Sequence, residues 1–514
     1  MLRAVATVGG WTAASRLLGF VRDILVAAAL GAGPAADAFV VALKLPNFLR
    51  RLFGEGAFAA AFVPLFAGTL ASEGQAAARQ VAEGALSVLL AVLAALTVFT
   101  ILFMPQAMAL LAPGFLDDPV RFPLAVELTR ITFPYVMLVC LAAAMSGVLN
   151  GLDRFAAAAA APVLFNLALI GGVLIAQETG GSVAHGLAWG VAAAGVLQVL
   201  ALAVALARAG MPLGLPAPRL TPEVRLLLRR MGPGAIGAGV TQINLMVDVI
   251  IASFLPAGAI AFLYYADRVN QLPLGVIGTA VGTAVLPRLS REVRAGEGEA
   301  ATATLNRAIE LALLLTVPSA VGLGVAASPI IAVLFGGGAF GYAEVAATAA
   351  ALTAYATGLP AYVLVKVLAP AFFARGDTRS PVEIAAGCVV LNIGLTLALI
   401  GPFSHVGIAL ATALSAVVNA GLLGLRLARR RQFVPDRRLV WFVARLVAAS
   451  ALMGVAVAVA ERFLFGHLLE LSGLRWAGLA GLIALGFGTF ALCAVALRIG
   501  DPREVLVALR RGRA

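Results

Sequence analysis

The chain has 514 residues, 62% of them hydrophobic and only 12% charged, with a formal net charge of +12 and a mean hydropathy of +1.01. Soluble domains carry roughly 25% charged residues, so a water-soluble globule is excluded and most of the surface must face lipid. The three cysteines, Cys140, Cys388 and Cys493, all lie in apolar runs, which gives neither a disulfide framework nor a metal-ligand spacing.

About 20 apolar residues suffice to cross the hydrocarbon, and such runs recur from end to end. In chain order, fourteen spans are predicted: 8–30, 36–66, 82–110, 128–149, 158–177, 184–207, 230–255, 259–287, 306–335, 345–373, 381–401, 404–425, 440–464 and 475–498. The runs are continuous rather than alternating over ~10-residue segments, so the expected fold is all-α and polytopic, not a β-barrel. Residues 1–30 lack a short apolar core followed by a cleavage site and are expected to stay as the first span.

Charge follows topology. With the N-terminus inside, the cytoplasmic connections hold Arg208, Arg219, Arg225, Arg229 and Arg230, then Arg288, Arg291 and Arg294, then Arg375 and Arg379. The run from Arg426 to Arg438 and the tail with Arg503, Arg510, Arg511 and Arg513 lie on the same side. The opposite loops ("GAGPA", "QETGGSV", "LPAG", "GGGAFGYAE", "GPFSH") are nearly bare, and the one around Asp117, Asp118 and Arg121 is close to neutral. This positive-inside asymmetry accounts for the basic charge without any nucleic acid, and it places both termini in the cytoplasm.

An internal repeat organises the spans. Sliding residues 36–66 by 223 positions aligns them without a gap on AIAFLYYADRVNQLPLGVIGTAVGTAVLPRL, pairing Ala36 with Ala259, Asn47 with Asn270 and Pro64 with Pro287. Pro134 and Pro360 lie 226 apart, as do Asn166 and Asn392. Six spans per repeat is an even number, so both halves share one topology, as in transporters that move two bundles about a central site. The expected organisation is a first lobe over 1–220, a second over 221–435, and two additional spans with a basic tail over 436–514.

Residues 37–66, DAFVVALKLPNFLRRLFGEGAFAAAFVPLF, carry charge where hydrocarbon is expected. Each charge at mid-bilayer costs roughly 2.5–3.5 kcal/mol. Asp37, Lys44 and Arg51 are seven apart, Asn47 lies between them and Glu55 follows Arg51 by four, so one continuous helix would align all five. Arg50 would project about 100° away. The first span adds Arg16, Arg22 and Asp23, and the eighth adds Asp267 and Arg268. Such charges either lock helices together and snorkel to an interface, or line a wet pocket. The surplus of cation over anion, and the fit of the arginine fork to phosphate oxygens, favour a pocket for a phosphorylated or otherwise anionic substrate.

A second cluster is Asp248, Asn392 and Thr396, whose oxygens suit a hard monovalent cation; Asp248 alone is equally read as a proton carrier or a buried hydrogen-bonded acid. Lys366 is a further intramembrane cation. There is no P-loop, no GxSxG and no His/Cys ligand spacing, so neither ATP coupling nor catalysis is expected, and GGGAFG (336–341) reads as a turn.

The segments "SRLLGFVRD", "ADAFVVALKLPNFLRRLFGEGAFAAAFVP", "ITFPYV", "YYADRVNQLPLGVIGTAVGTAVLP" and "VKVLAPAFFARGDTRSPV" resemble the MurJ (MviN) family of the multidrug/oligosaccharidyl-lipid/polysaccharide (MOP) exporter superfamily, over essentially the whole chain. The resemblance implies a V-shaped pair of six-helix lobes working by alternating access, a transporter rather than an enzyme. Its implied substrate is lipid II, the undecaprenyl-pyrophosphate-linked muropeptide. Arg16, Arg22, Arg50 and Arg268 carry over as head-group cations, with Asp23, Asp37, Glu55 and Asn47 in support. The last two spans would form a groove for the polyprenyl tail. A sodium site known in some members falls on Asp248 and Asn392, with Thr396 where relatives have a second acid, so Na+, H+ or the membrane potential is the implied driving force. Membrane lipids and a cell-wall synthesis complex are the implied partners, and the bacterial cytoplasmic (inner) membrane the location. The alternatives are an exporter of another anionic glycolipid or of a drug, and a non-transporting scaffold of the envelope machinery.

Overall fold

A computed structural model describes residues 2–51, 58–465 and 473–499. The chain forms two compact units. Unit one, Met1–Ala261 with Gly337–Phe340, holds α1 (Leu2–Leu30), α2 (Pro34–Leu49), α3 (Ala59–Leu102), α4 (Met104–Leu111), α5 (Arg121–Thr132), α6 (Tyr135–Gly151), α7 (Phe155–Glu178), α8 (Val183–Arg208) and α9 (Pro222–Ala252). Unit two is Phe262–Gly336 and Gly341–Ala514. It contains most of α10 (Ala259–Arg294), then α11 (Gly298–Val325), α12 (Ala327–Leu334), α13 (Tyr342–Phe373), α14 (Arg379–Arg429), α15 (Arg437–Ala460) and α16 (Arg475–Ala496).

The expected all-helical polytopic fold is what forms, and each of the fourteen expected spans lies mostly on helix where it is described, with short turns such as those at Phe103, Phe133–Pro134 and Ala326. Helices satisfy their own backbone groups, the requirement hydrocarbon imposes. Large apolar side chains such as Leu102, Ile175, Trp189, Val390 and Phe487 are exposed, as suits a surface solvated by lipid. Among the described residues nine helical stretches are long and apolar enough to cross a membrane. The long helices α1, α9 and α10 and the 16-residue α2 fall outside that set, and they carry the candidate charges.

Where it is described, the 36–66 span is α2 and the start of α3. α2 contains Pro46, which has no N–H to give Ala42; Thr132 on α5 supplies a hydroxyl donor to the Ala42 carbonyl instead, at 3.3 Å. α2 is α-helical to Leu49, Arg50 and Arg51 follow in the wider π geometry, and α3 is α-helical from Ala59. That helix, α3, is itself interrupted at Gly74, whose φ of 84° is left-handed and suits glycine. The 381–401 and 404–425 spans run together as α14, broken at Ser404 by a φ of 51°.

Small residues set the closest helix crossings. Within unit one α7 lies on α8 and α1 on α7. A Cβ on Gly172 of α7 would collide with the Gly186 carbonyl oxygen of α8, and one on Gly190 would lie 2.9 Å from the Ala168 oxygen. In unit two α13 packs on α11 and α14, α15 on α11, and α16 on α15. The GGGAFG stretch is a tight turn closed by paired 3.0 Å bonds between Gly337 and Phe340, with the Ala339 N–H donated to the Ala28 carbonyl at 2.8 Å.

Candidate substrate site

In unit one the charge centre is Arg22 on α1. Its Nε and Nη2 both donate to Asp23 Oδ1, at 3.0 and 2.7 Å, and its Nη1 donates to Asn166 Oδ1 at 2.9 Å. Asn166, on α7, is itself held by donating Nδ2–H to the Ser15 carbonyl at 2.9 Å. The Phe165 ring lies under the guanidinium, 5.7 Å from Cζ. Arg22 is 8% exposed and Asp23 4%, so this is a buried pair. Such a pair is stabilised by hydrogen bonds to its remaining donors and acceptors, and Asn166 takes one of those donors. Adjacent residues on a helix normally diverge by about 100°; the length of the arginine side chain lets the guanidinium fold back onto Asp23.

Asp37 does not sit on a wet face. It is 0% exposed. Its Oδ2 accepts from the Gly258 N–H at 2.7 Å and its Oδ1 from the Ala261 N–H at 2.9 Å, so it caps the first turn of α10. Arg121 Nη1 lies 3.8 Å away and donates to the Leu255 carbonyl at 3.0 Å, while Arg121 Nε donates to Asp118 Oδ2 at 2.6 Å. The Asp118 carboxyl, in the loop before α5, is held below its ordinary range first by the backbone N–H of Arg121 and also by that side chain. The loop that reads as neutral in sequence is thus an ordered charge pair supporting Asp37. Sequence reasoning missed Arg121 and gave Asn166 no site role; the available signals were Arg121 in an otherwise bare loop and the Asn166–Asn392 repeat.

In unit two Arg268 is half-buried and held against its own helix. Nη2 donates to Tyr264 Oη at 3.1 Å, and Cζ lies 4.9 Å from the centre of that ring. Asp267 beside it accepts from Gln271 Nε2. A cavity of about 290 Å³ opens there between α10, α13 and α14, lined by Asp267, Asn270, Gln271, Tyr355, Tyr362 and Lys366 among others.

The remaining candidates are spread over both units. Arg16 is exposed on α1; Lys44 and Asn47 on α2, and Arg50 just after it, are half-buried; Arg51 is exposed; Glu55 lies outside the described residues. Asn392 and Thr396 are buried one turn apart on α14, and Thr396 Oγ1 has no hydrogen-bond partner among the described residues. Asp248 is half-buried on α9, in the other unit. Among the described residues no three His, Cys, Asp or Glu side chains gather into a metal cluster.

Comparison with known proteins gives a consistent family. The profile described as lipid II flippase MurJ matches residues 26–472. A probable lipid II flippase MurJ of Rhizobium meliloti (strain 1021) is 44% identical over 520 residues, covering 100% of this chain and 97% of the relative. The lipid II flippase MurJ of Burkholderia cenocepacia is 36% identical over 457 residues, covering 88% of this chain and 89% of its own. Among solved structures, lipid II flippase MurJ in an inward closed conformation superposes with a TM-score of 0.78 at 24% identity, over 96% of this chain and 98% of that one. An inward-facing multidrug resistance MATE family transporter of the MOP superfamily gives 0.67 at 17% identity, over 81% and 94%. The chain is therefore a multi-pass membrane transporter, and it belongs to the MurJ lipid II flippase family.

Proposed function

We infer that this chain moves lipid II from the cytoplasmic to the outer leaflet of the bacterial inner membrane by alternating access, with both termini in the cytoplasm. Family membership supports the substrate, and one observation supports the chemistry: a buried arginine, Arg22, whose orientation is fixed by Asp23 and Asn166. Three of its five N–H groups are engaged within the protein, and the other two are the ones a pyrophosphate oxygen would take. Arg16, Arg50 and Arg268 complete the proposed cation set. Each such cation replaces part of the hydration that the head group loses on leaving water, which is the barrier a flippase must lower. Asp23 and Asp37 act through protein contacts, orienting Arg22 and capping α10. The polyprenyl tail stays in lipid along α15 and α16, whose outer faces expose Val455, Phe487 and Leu492.

Return of the empty protein is driven by the membrane potential, worth about 2.3 kcal/mol per charge per 100 mV, or by a coupling ion, Na+ or H+. For Na+, Asn392 and Thr396 of unit two supply oxygen donors of the right kind, and for H+, Asp248 of unit one is the candidate acid. A cell-wall synthesis complex is the proposed partner on delivery. The test is rescue of wall synthesis in a flippase-depleted bacterium: the wild-type chain should restore growth, and well-expressed Arg22→Ala and Arg268→Ala should not. Normal rescue by both variants would favour a non-transporting scaffold over a flippase.

A further inference from the structure

The cavity in unit two has a chemistry distinct from an arginine site. Asp267, Asn270 and Gln271 reach it from α10, and Tyr355, Tyr362 and Lys366 from α13. The α13 residues are 7 and 11 positions apart, which stacks them on one helical face. Lys366 brings an ammonium with no pairing carboxylate among the described residues. Asn270 is 2% exposed, yet its Oδ1 has no hydrogen-bond partner among the described residues. Buried carbonyl oxygens are nearly always bonded, and one that is not is an acceptor waiting for an N–H or O–H. The cavity thus offers one cation, one anion that accepts from Gln271, one unused acceptor and two phenols.

We propose that this cavity is a second subsite, for a carboxylate-bearing peptide segment, with the carboxylate on Lys366 Nζ and a neighbouring N–H donated to Asn270 Oδ1. A pyrophosphate fits less well: it brings no donor for Asn270, and its several negative charges meet one ammonium and the Asp267 carboxylate, where a single carboxylate is balanced by Lys366. A peptide end supplies both complements at once. The volume of about 290 Å³ suits one or two residues rather than a whole head group. The inference rests on lipid II being the substrate and assigns its peptide portion to unit two.

The test uses the full chain in detergent and three probes: lipid II, lipid II with its peptide carboxylates amidated, and undecaprenyl pyrophosphate, which has neither sugar nor peptide. Lys366→Gln should weaken lipid II binding about tenfold and leave undecaprenyl pyrophosphate binding unchanged. Amidated lipid II should bind the wild type as weakly as lipid II binds Lys366→Gln, with no further loss when the two changes are combined. Lys366→Arg should keep most of the affinity, and Asn270→Ala should lose about fivefold. Equal loss on lipid II and undecaprenyl pyrophosphate, or no loss on either, overturns the subsite while leaving the flippase reading intact. A wild-type chain that binds none of the probes overturns the flippase reading and the subsite with it.

Discussion

Arg22 and Asn166 lie 144 residues apart in sequence, yet the guanidinium donates to the amide oxygen at 2.9 Å inside unit one. The bond does two things. It satisfies a buried cation, and it ties α1 to α7 through the same amide that donates to the Ser15 carbonyl.

Replacing Asn166 with Leu removes that acceptor and donor at similar volume. The expected loss is about 1.5–3 kcal/mol of stability, the range for hydrogen bonds to charged groups. Thermal unfolding in detergent measures it. Lipid II transport per folded molecule should fall with Asn166→Leu and recover in Asn166→Asp, which restores the acceptor.

Asp37→Ala separates a structural acid from a substrate contact. It strands the Gly258 and Ala261 N–H groups and removes the carboxylate beside Arg121. A loss of about 2–4 kcal/mol is expected, with transport by the folded fraction kept within about twofold. A stable variant that no longer transports would instead place Asp37 against the substrate.

Gly172→Ala tests the α7–α8 crossing that presents Asn166. The added methyl would drive into the Gly186 carbonyl, and backbone cannot swing aside as a side chain can. Overpacking of this kind costs about 1–3 kcal/mol, so the melting temperature should fall. Gly171→Ala, where a Cβ meets nothing within 4 Å, serves as the control and should melt like the wild type.

Much of this arrangement is legible in sequence, and the exceptions have physical causes. Hydropathy alone locates the spans, because lipid leaves helices little choice. Helical periodicity puts Asp37 on one face with Lys44 and Arg51, but it does not show that the N–H groups at the start of α10 draw the Asp37 carboxylate inward and bury it. Arg22 and Arg268 stand out as charges in apolar runs, but their partners Asn166 and Tyr264 are ordinary residues at any one position. Only the fold brings Asn166 to Arg22. The Lys366 cavity is hidden for the same reason, since its lining joins residues 267–275 of α10 to residues of α13 and α14 some 80 or more positions later.

The loop before α14 gives a pH prediction. The Asp377 carboxyl is held well below the ordinary aspartate range, first by the Ser380 hydroxyl, then by the Ser380 N–H and Arg430. A depressed folded-state value means the contribution is fully present above the unfolded value of about 3.9 and is lost as pH falls through the folded one. The melting-temperature difference between wild type and Asp377→Asn should therefore be flat from about pH 5 to 8 and shrink only in stronger acid. A difference that varied across neutral pH would contradict this assignment.

The central claim is that fixed arginine charge carries the lipid II head group across the membrane, and the most direct measurement is transfer itself in vesicles. Because Arg22 and Asp23 are a buried pair, the informative variant is the double replacement Arg22→Gln with Asp23→Asn, which removes both charges without stranding either. Transfer is read as exposure of lipid II to a membrane-impermeant probe, with folding checked by thermal unfolding. The account predicts a folded variant whose initial transfer rate is at least about tenfold slower than the wild type. A folded variant that transfers lipid II at the wild-type rate would contradict it.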